Sequence, residues 1–322
     1  MSNSAKSSPR VAFQGEHGAF SEAAAIQLLG EKIVTVPRAT FDSAFRAIAE
    51  GAADALLAPV ENSLAGSVVR VYDLLLESSL GIVAETILPI EHHLIGCPGA
   101  TLSGLKSVSS HPMALAQCEK FFLSHPQLKR VPAEDTAGSV RDVLASGDQS
   151  AAGIAGRPAA IRYGGVILSE SIQDNAENFT RFVLLTPVQG QDSLQAMCVS
   201  PALARLLTHL SLHRTLKTRE LRDAGSTSAE EIDLKISLAL RLAHKPGALL
   251  SALEPFARNE INLMKIESRP IHGTPWVYQF FLDVETNSLQ KLEAALAAVK
   301  PATSFLRILG VYSPARSASS SV

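Results

Sequence analysis

The chain has 322 residues, 46% hydrophobic and 19% charged, which is too long for one core and too apolar for a disordered protein. A formal charge of −2 with scattered basic residues excludes the Lys/Arg stripe that grips a nucleic-acid backbone. No stretch of about 18 or more apolar residues is present to span a bilayer, and Met1 to Ser8 are small and polar rather than an apolar leader, so a cytoplasmic, non-membrane protein is expected.

In chain order, Val11 to Gln14 reads as a strand ending in the turn Gly15 to Gly18, followed by a helix from Ser21 to Leu29. A helix at Phe41 to Glu50, a strand at Ala55 to Val60 and a helix at Gly66 to Leu76 continue the alternation of an α/β layer fold. Apolar, β-branched residues around Ile82 to Gly96, with Pro89, mark a crossing between two lobes. A second set follows: strand Ser107 to Ser109, helices His111 to Leu123 and Ala137 to Ala145, strand Ala151 to Ala155, and a last strand from Phe182 to Leu185. Residues 188–232 read as a linker or insertion with a basic stretch at His213 to Arg222 and a short amphipathic helix at Pro201 to Leu212. From Asp233 the order is βαββαβ, with strands at Leu234 to Leu242, Asn262 to Glu267, Val277 to Val284 and Ser304 to Val311 and helices at Gly247 to Asn259 and Leu289 to Val299, a ferredoxin-like arrangement. Residues 314–322 form a Ser/Ala-rich tail expected to be disordered.

Cys97, Cys118 and Cys198 lack Cys-x-x-Cys spacing and read as free, mostly buried thiols. The nine histidines, including the pair His92-His93, lack metal-ligand spacing, so no metal site is expected. The turn before Ser21 can hold an anion at a helix terminus or merely cap the helix, and it has neither nucleotide-binding glycine spacing nor a Walker lysine. Glu61, Asn62 and Ser63 close an apolar strand where α/β ligand sites lie, and with Ser67 they exceed what one helix cap needs. Ser110-His111-Pro112, Ser124-His125-Pro126 and Asp135-Thr136 read best as turns and caps. Asn178-Phe179-Thr180-Arg181-Phe182 places polar side chains among aromatics; an exposed strand tolerates that pattern, while an Arg at a strand start suits bidentate carboxylate recognition.

In this order, Gly15 to Glu22, Pro59 to Ser63, Ser110-His111-Pro112 with Gln117-Cys118, Asp135-Thr136-Ala137 and Asn178 to Phe182 resemble the motif set of the prephenate dehydratases. The resemblance implies a two-lobed catalytic domain of the type II periplasmic-binding-protein kind at 10–187, with lobes at 10–88 plus 170–187 and at 89–169. It also implies conversion of prephenate to phenylpyruvate with loss of carbon dioxide and hydroxide, without a cofactor. On the family pattern Thr180, Arg181 and Glu61 are the expected catalytic residues, with Ser21, Asn62, Ser63, Asn178 and Phe182 binding substrate. Residues 233–313 resemble an ACT domain, which implies phenylalanine as effector at Pro246, Gly247, Ala248, Leu249, Asn262, Glu267, Ser268 and Arg269, bound between the paired domains of a homodimer or homotetramer. Met113 stands where the family usually has Gln, and Gly156 where a Ser is common. The turn at Gly15 to Ala19 and Val71 to Leu76 are more similar to the arogenate dehydratase subgroup, so arogenate is the alternative substrate. A non-catalytic ligand-binding protein and a transcriptional regulator are the competing readings, and no helix-turn-helix supports the latter.

Overall fold

The computed structural model describes residues 8–187, 233–271, 273–274 and 277–315. Cys198, the 188–232 insertion with its expected helix and basic stretch, and all of the tail beyond Ala315 lie outside the described residues. The chain divides into two compact units, residues 1–74 with 86–183, and residues 75–85 with 184–322.

The elements through the first part of the chain are β1 (Arg10–Gln14), α1 (Phe20–Leu29), β2 (Val34–Arg38), α2 (Phe41–Ala49), β3 (Ala55–Asn62), β4 (Gly66–Ser67), α3 (Val69–Glu77) and β5 (Leu80–Pro89). Then come β6 (His93–Gly96), β7 (Ser107–Ser110), α4 (Pro112–Ala116), α5 (Glu119–Ser124), β8 (Lys129–Pro132), α6 (Thr136–Ser146), β9 (Ala151–Ala155), α7 (Arg157–Tyr163), β10 (Val166–Ser169) and β11 (Phe179–Pro187). In the first unit β1 runs parallel to β2 and β3, and β11 lies beside β3. A second sheet has the order β10-β6-β9-β7-β8.

Local chemistry explains several boundaries. Thr40 and Ser43 form a reciprocal capping box that opens α2. Asp135 accepts from the Gly138 N–H at 2.6 Å to start α6, and His111 accepts from the Met113 N–H at 3.2 Å to start α4, with Pro112 at the first helical position. His111 and Asp135 thus have the capping roles read from the sequence, whereas Ser110 does not: it ends β7, and its buried hydroxyl donates to the Ile154 carbonyl at 2.7 Å. The helix expected from His111 to Leu123 is broken at Gln117-Cys118, and the helix expected from Gly66 begins only at Val69, because Gly66 and Ser67 pair back on Asn62 and Glu61 as a hairpin. The strand β2 carries Pro37, which an edge strand accommodates because one side of its backbone needs no donor.

Two segments connect the sheets of the first unit and are bonded to each other. The Ile90 N–H donates to the Asn178 carbonyl at 2.7 Å, and the Ile172 N–H to the His92 carbonyl at 2.8 Å. Phe13, Ala19, Ile95, Ala137, Val140, Ala155 and Ala159 form a buried cluster drawing on both sheets.

In the second unit β12 (Leu234–Leu242), α8 (Ala248–Arg258), β13 (Asn262–Pro270), β14 (Tyr278–Thr286), α9 (Leu289–Val299) and β15 (Thr303–Tyr312) give the expected βαββαβ order. The strand order β13-β14-β12-β15 is antiparallel throughout, and Ile236, Leu238, Leu240, Phe256, Leu282, Val284 and Leu292 fill its core. Residues 75–85 belong to this unit. Ile82 pairs in parallel with Gly310, Lys235 Nζ meets the fully buried Glu85 carboxylate at 3.1 Å, and the Arg307 guanidinium donates to the carbonyls of Leu76 and Ser78 at 2.6 and 2.7 Å.

Candidate active site

Neighbouring strands β3 and β11 end side by side, and this brings Glu61, Asn62 and Ser63 to Asn178, Thr180 and Arg181. The Ser63 N–H donates to the Phe179 carbonyl at 2.8 Å, while its hydroxyl donates to the Glu177 carbonyl and accepts from the Phe179 N–H, both at 3.0 Å. Ser63 therefore fastens the two strand ends together, its hydroxyl engaged with backbone on both sides.

Asn62 is the hub of the cluster. Its side-chain oxygen accepts from the N–H groups of Leu64 and Ala65, and its Nδ2 reaches Asn178 Oδ1 at 2.7 Å, Thr180 Oγ1 at 2.9 Å and the Phe179 carbonyl at 3.1 Å. Asn178 and Thr180 are buried, and Asn178 Nδ2 also donates to Gln117 Oε1 at 3.2 Å. Gln117, quoted in the sequence only as part of a motif, thus joins the cluster from the break between α4 and α5.

Alternation along β11 puts Arg181 on the face opposite Thr180, where its Nε and Nη2 donate to Glu61 Oε2 at 3.3 and 3.2 Å. Arg181 is 9% exposed, which rules out the exposed-strand reading of this segment. Its guanidinium already holds a carboxylate, that of Glu61, and so is not an unengaged fork. Phe182, expected to bind substrate, is 2% exposed and packs in the core, which leaves its ring no accessible face.

The turn before Ser21 carries its own anion. Glu22 accepts from the Gly18 N–H at 2.6 Å, from the Thr35 hydroxyl at 2.6 Å and from His17 Nδ1 at 2.7 Å. Burial pushes the Glu22 carboxyl up, but the bonds from Thr35, Gly18 and His17 outweigh it and hold the group below its ordinary value. Ser21 is buried in the first turn of α1. At the opposite end of the same motif set, a Cβ on Gly156 would lie 2.7 Å from the Phe20 ring, which explains a glycine where serine is common. Cys97 and Cys118 are free and buried, and burial pushes the Cys118 thiol up to about 12, so it is protonated and unreactive. Among the described residues no group of three His, Cys, Asp or Glu residues has metal-binding geometry, and no helix is long and apolar enough to cross a membrane.

In the second unit, Gly247 precedes α8, and Glu267, Ser268 and Arg269 lie near the end of β13. The register sets Arg269 level with Gln279 and Arg241, whereas Asn262 is level with Glu285 and Lys235. Asn262, expected close to Gly247, is therefore at the far end of the sheet within one chain, because β12 and β13 run the same way and their starts coincide.

A buried threonine hydroxyl, an Arg–Glu pair and a lattice of side-chain amides thus meet at adjoining strand ends of an α/β fold, the place where such folds hold small polar ligands. The comparisons name the family. The prephenate dehydratase family model matches residues 11–189. Arogenate dehydratase/prephenate dehydratase 1 of Arabidopsis thaliana, a chloroplastic protein, is 36% identical over 318 residues, covering 94% of this chain and 71% of its own. The solved prephenate dehydratase of Arthrobacter aurescens, in complex with L-Phe, superposes with a TM-score of 0.75 at 28% identity, covering 95% of this chain and 90% of the other. GqqA, described as a novel type of quorum quenching acylase, superposes with a TM-score of 0.76 at 29% identity, covering 95% and 98%. The chain belongs to the prephenate dehydratase family and is a lyase. The fold is shared with an acylase, so the residues and not the fold carry the chemistry.

Proposed function

We propose that the chain converts prephenate to phenylpyruvate, with Thr180 hydrogen-bonding the departing hydroxyl. The observation that carries this reading is the bond from Asn62 Nδ2 to Thr180 Oγ1. Because Thr180 Oγ1 accepts there, its own proton is left for a different oxygen. In the reaction the bond from the ring to its carboxylate breaks, carbon dioxide departs, the electron pair enters the ring, and the opposite C–O bond releases hydroxide, which leaves as water once protonated. Aromatisation supplies the driving force, and the protein stabilises the charge developing on the leaving oxygen. Arg181, paired with Glu61 on the other face of β11 from Thr180, offers a fixed positive centre at the strand end to a substrate carboxylate. Ser21 orients a remaining oxygen, Asn62 acts through the bond it gives Thr180, and Ser63 acts through the strand ends that it joins.

The second unit acts as an ACT-type sensor of phenylalanine, with Pro246, Gly247, Ala248 and Leu249 at the start of α8 and Glu267, Ser268 and Arg269 on β13. The βαββαβ order and the L-Phe-bound relative support this reading. The edge strand β13 exposes Met264 and Ile266, which supports pairing with a second copy.

A side-by-side assay of the purified protein with prephenate and arogenate, following phenylpyruvate and phenylalanine, tests the reading. Turnover of prephenate that falls when phenylalanine is added is the expected result. Turnover of arogenate alone replaces the substrate, and indifference to phenylalanine together with no heat of binding removes the sensor.

A further inference from the structure

His92 lies where the first connecting segment enters the second sheet and is 2% exposed. Its N–H donates to Gln173 Oε1 at 2.9 Å, and its carbonyl accepts from Ile172. The ring stands edge-on to Phe20 at 5.7 Å between centroids. Nε2 is 2.9 Å from Gln117 Oε1, while Nδ1 is buried with no hydrogen-bond partner among the described residues.

The proton positions in this cluster follow from one fixed end. The backbone N–H groups of Leu64 and Ala65 can only donate, so the Asn62 atom facing them is its oxygen. Asn62 then turns its NH2 to Asn178, which must present Oδ1. Asn178 consequently turns its own NH2 to Gln117, which must present Oε1. An oxygen already accepting from Asn178 can only accept again from His92, so the imidazole proton is on Nε2. A second proton, on Nδ1, would be a buried donor without an acceptor. His92 is thus a neutral imidazole at the terminus of a directed chain running His92, Gln117, Asn178, Asn62, Thr180.

We propose that His92 is a positioning residue: its Nε2–H braces the Gln117 side chain and, through Asn178, steadies the Asn62 amide that donates to Thr180 Oγ1, so that the Thr180 proton is held toward the leaving hydroxyl. The proposal rests on the reading of Thr180 as the donor. Without the His92 proton the Gln117 oxygen keeps only the bond from Asn178, so the Gln117 side chain is held at one point instead of two and the row of amides ending at Thr180 loses its brace.

In the full-length protein, His92→Leu is expected to lower kcat for prephenate about 10-fold with KM changed less than about two-fold, the pattern of an interaction expressed in the transition state. His92→Gln, whose amide can donate to Gln117 Oε1, is expected to recover most of the rate. In a Thr180→Val background His92→Leu is expected to have no further effect, because the two act through one hydroxyl. Nitrogen NMR of labelled histidine in the unaltered protein reads the tautomer directly, and bare Nδ1 with protonated Nε2 is expected near neutral pH. An Nδ1–H tautomer, an unimpaired kcat in His92→Leu, or an undiminished loss in the Thr180→Val background would overturn the proposal. Normal turnover by Thr180→Val removes the donor reading and this role together; a slow Thr180→Val beside a fast His92→Leu removes the role of His92 alone.

Discussion

A threonine hydroxyl is too weak an acid to surrender its proton unaided, and what Thr180 gains from its neighbours is direction. Thr180→Val keeps the volume, removes the hydroxyl and is expected to reduce kcat by about 10²-fold or more, as loss of a donor to a developing oxyanion does. Steady-state assays at saturating prephenate check this, and unchanged turnover would exclude the donor role. Burial also sets a pH dependence at the neighbouring pair. Burial lowers the values of His92 and His93 below the ordinary imidazole value, with repulsion from one another's charge adding at His92 and from Arg157 at His93. Between the lowered native value and the unfolded value of about 6.5, the unfolded chain binds more protons, so stability rises with pH across that window and is lost as pH falls through it. The urea midpoint is expected to be lower at about pH 5.5 than at about pH 7.5, and His92→Gln to reduce the difference.

At the scale of elements, the turn between β1 and α1 depends on Gly18, whose φ is +86° and whose added Cβ would meet the Ala159 Cα at 2.8 Å. Both the strain and the backbone collision resist a side chain, so Gly18→Ala is expected to cost more than about 1 kcal/mol of stability. Gly30→Ala, with φ +78° but open space around it, serves as the comparison and is expected to cost less in the same denaturation experiment. Elements with strong signals were legible: β9, β12 and α9 have the bounds that their apolar runs and flanking residues imply. The strands β2, β8 and β10 escaped, being four or five residues long with partly exposed sides that leave little apolar pattern. The break at Gln117-Cys118 also escaped, because Leu115, Cys118 and Phe122 continue an apolar stripe across it. The motif order singled out Glu61, Asn62, Thr180 and Arg181, and the fold brings them together at neighbouring strand ends. Their pairing was not legible, since Asn62 and Thr180 are 118 positions apart and spacing says nothing about which amide meets which. His92 had no local signal beyond an adjacent His, and only its position against Gln117 gives it a part.

For the whole molecule, the division into units does not follow a single cut at Pro187. Residues 75–85 group with 184–322, although the chain on either side of them belongs to the first unit. Glu85 has a fully buried side chain, bonded to Lys235 Nζ and to the Ala315 N–H at 2.8 Å. Glu85→Ala leaves the largely buried Lys235 ammonium, among the described residues, with Glu285 at 3.8 Å, and is expected to cost on the order of 3 kcal/mol, as the loss of one partner of a buried pair does. A calorimetric melting temperature that matches the parent would contradict it. Burial is the largest influence on Glu285 and raises its carboxyl, so that partner is a weak substitute for Glu85 near the lower end of the pH range.

The grip of Arg307, Lys235 and Gly310 on residues 75–85 is made through space and does not pass through residues 188–232. Severed there, the chain yields an amino-terminal piece that still carries the peptide its carboxy-terminal piece was built to clasp. The two halves are therefore expected to co-purify as a noncovalent pair after cleavage, and a gene fusion that exchanges the carboxy-terminal half is expected to need residues 75–85 exchanged with it.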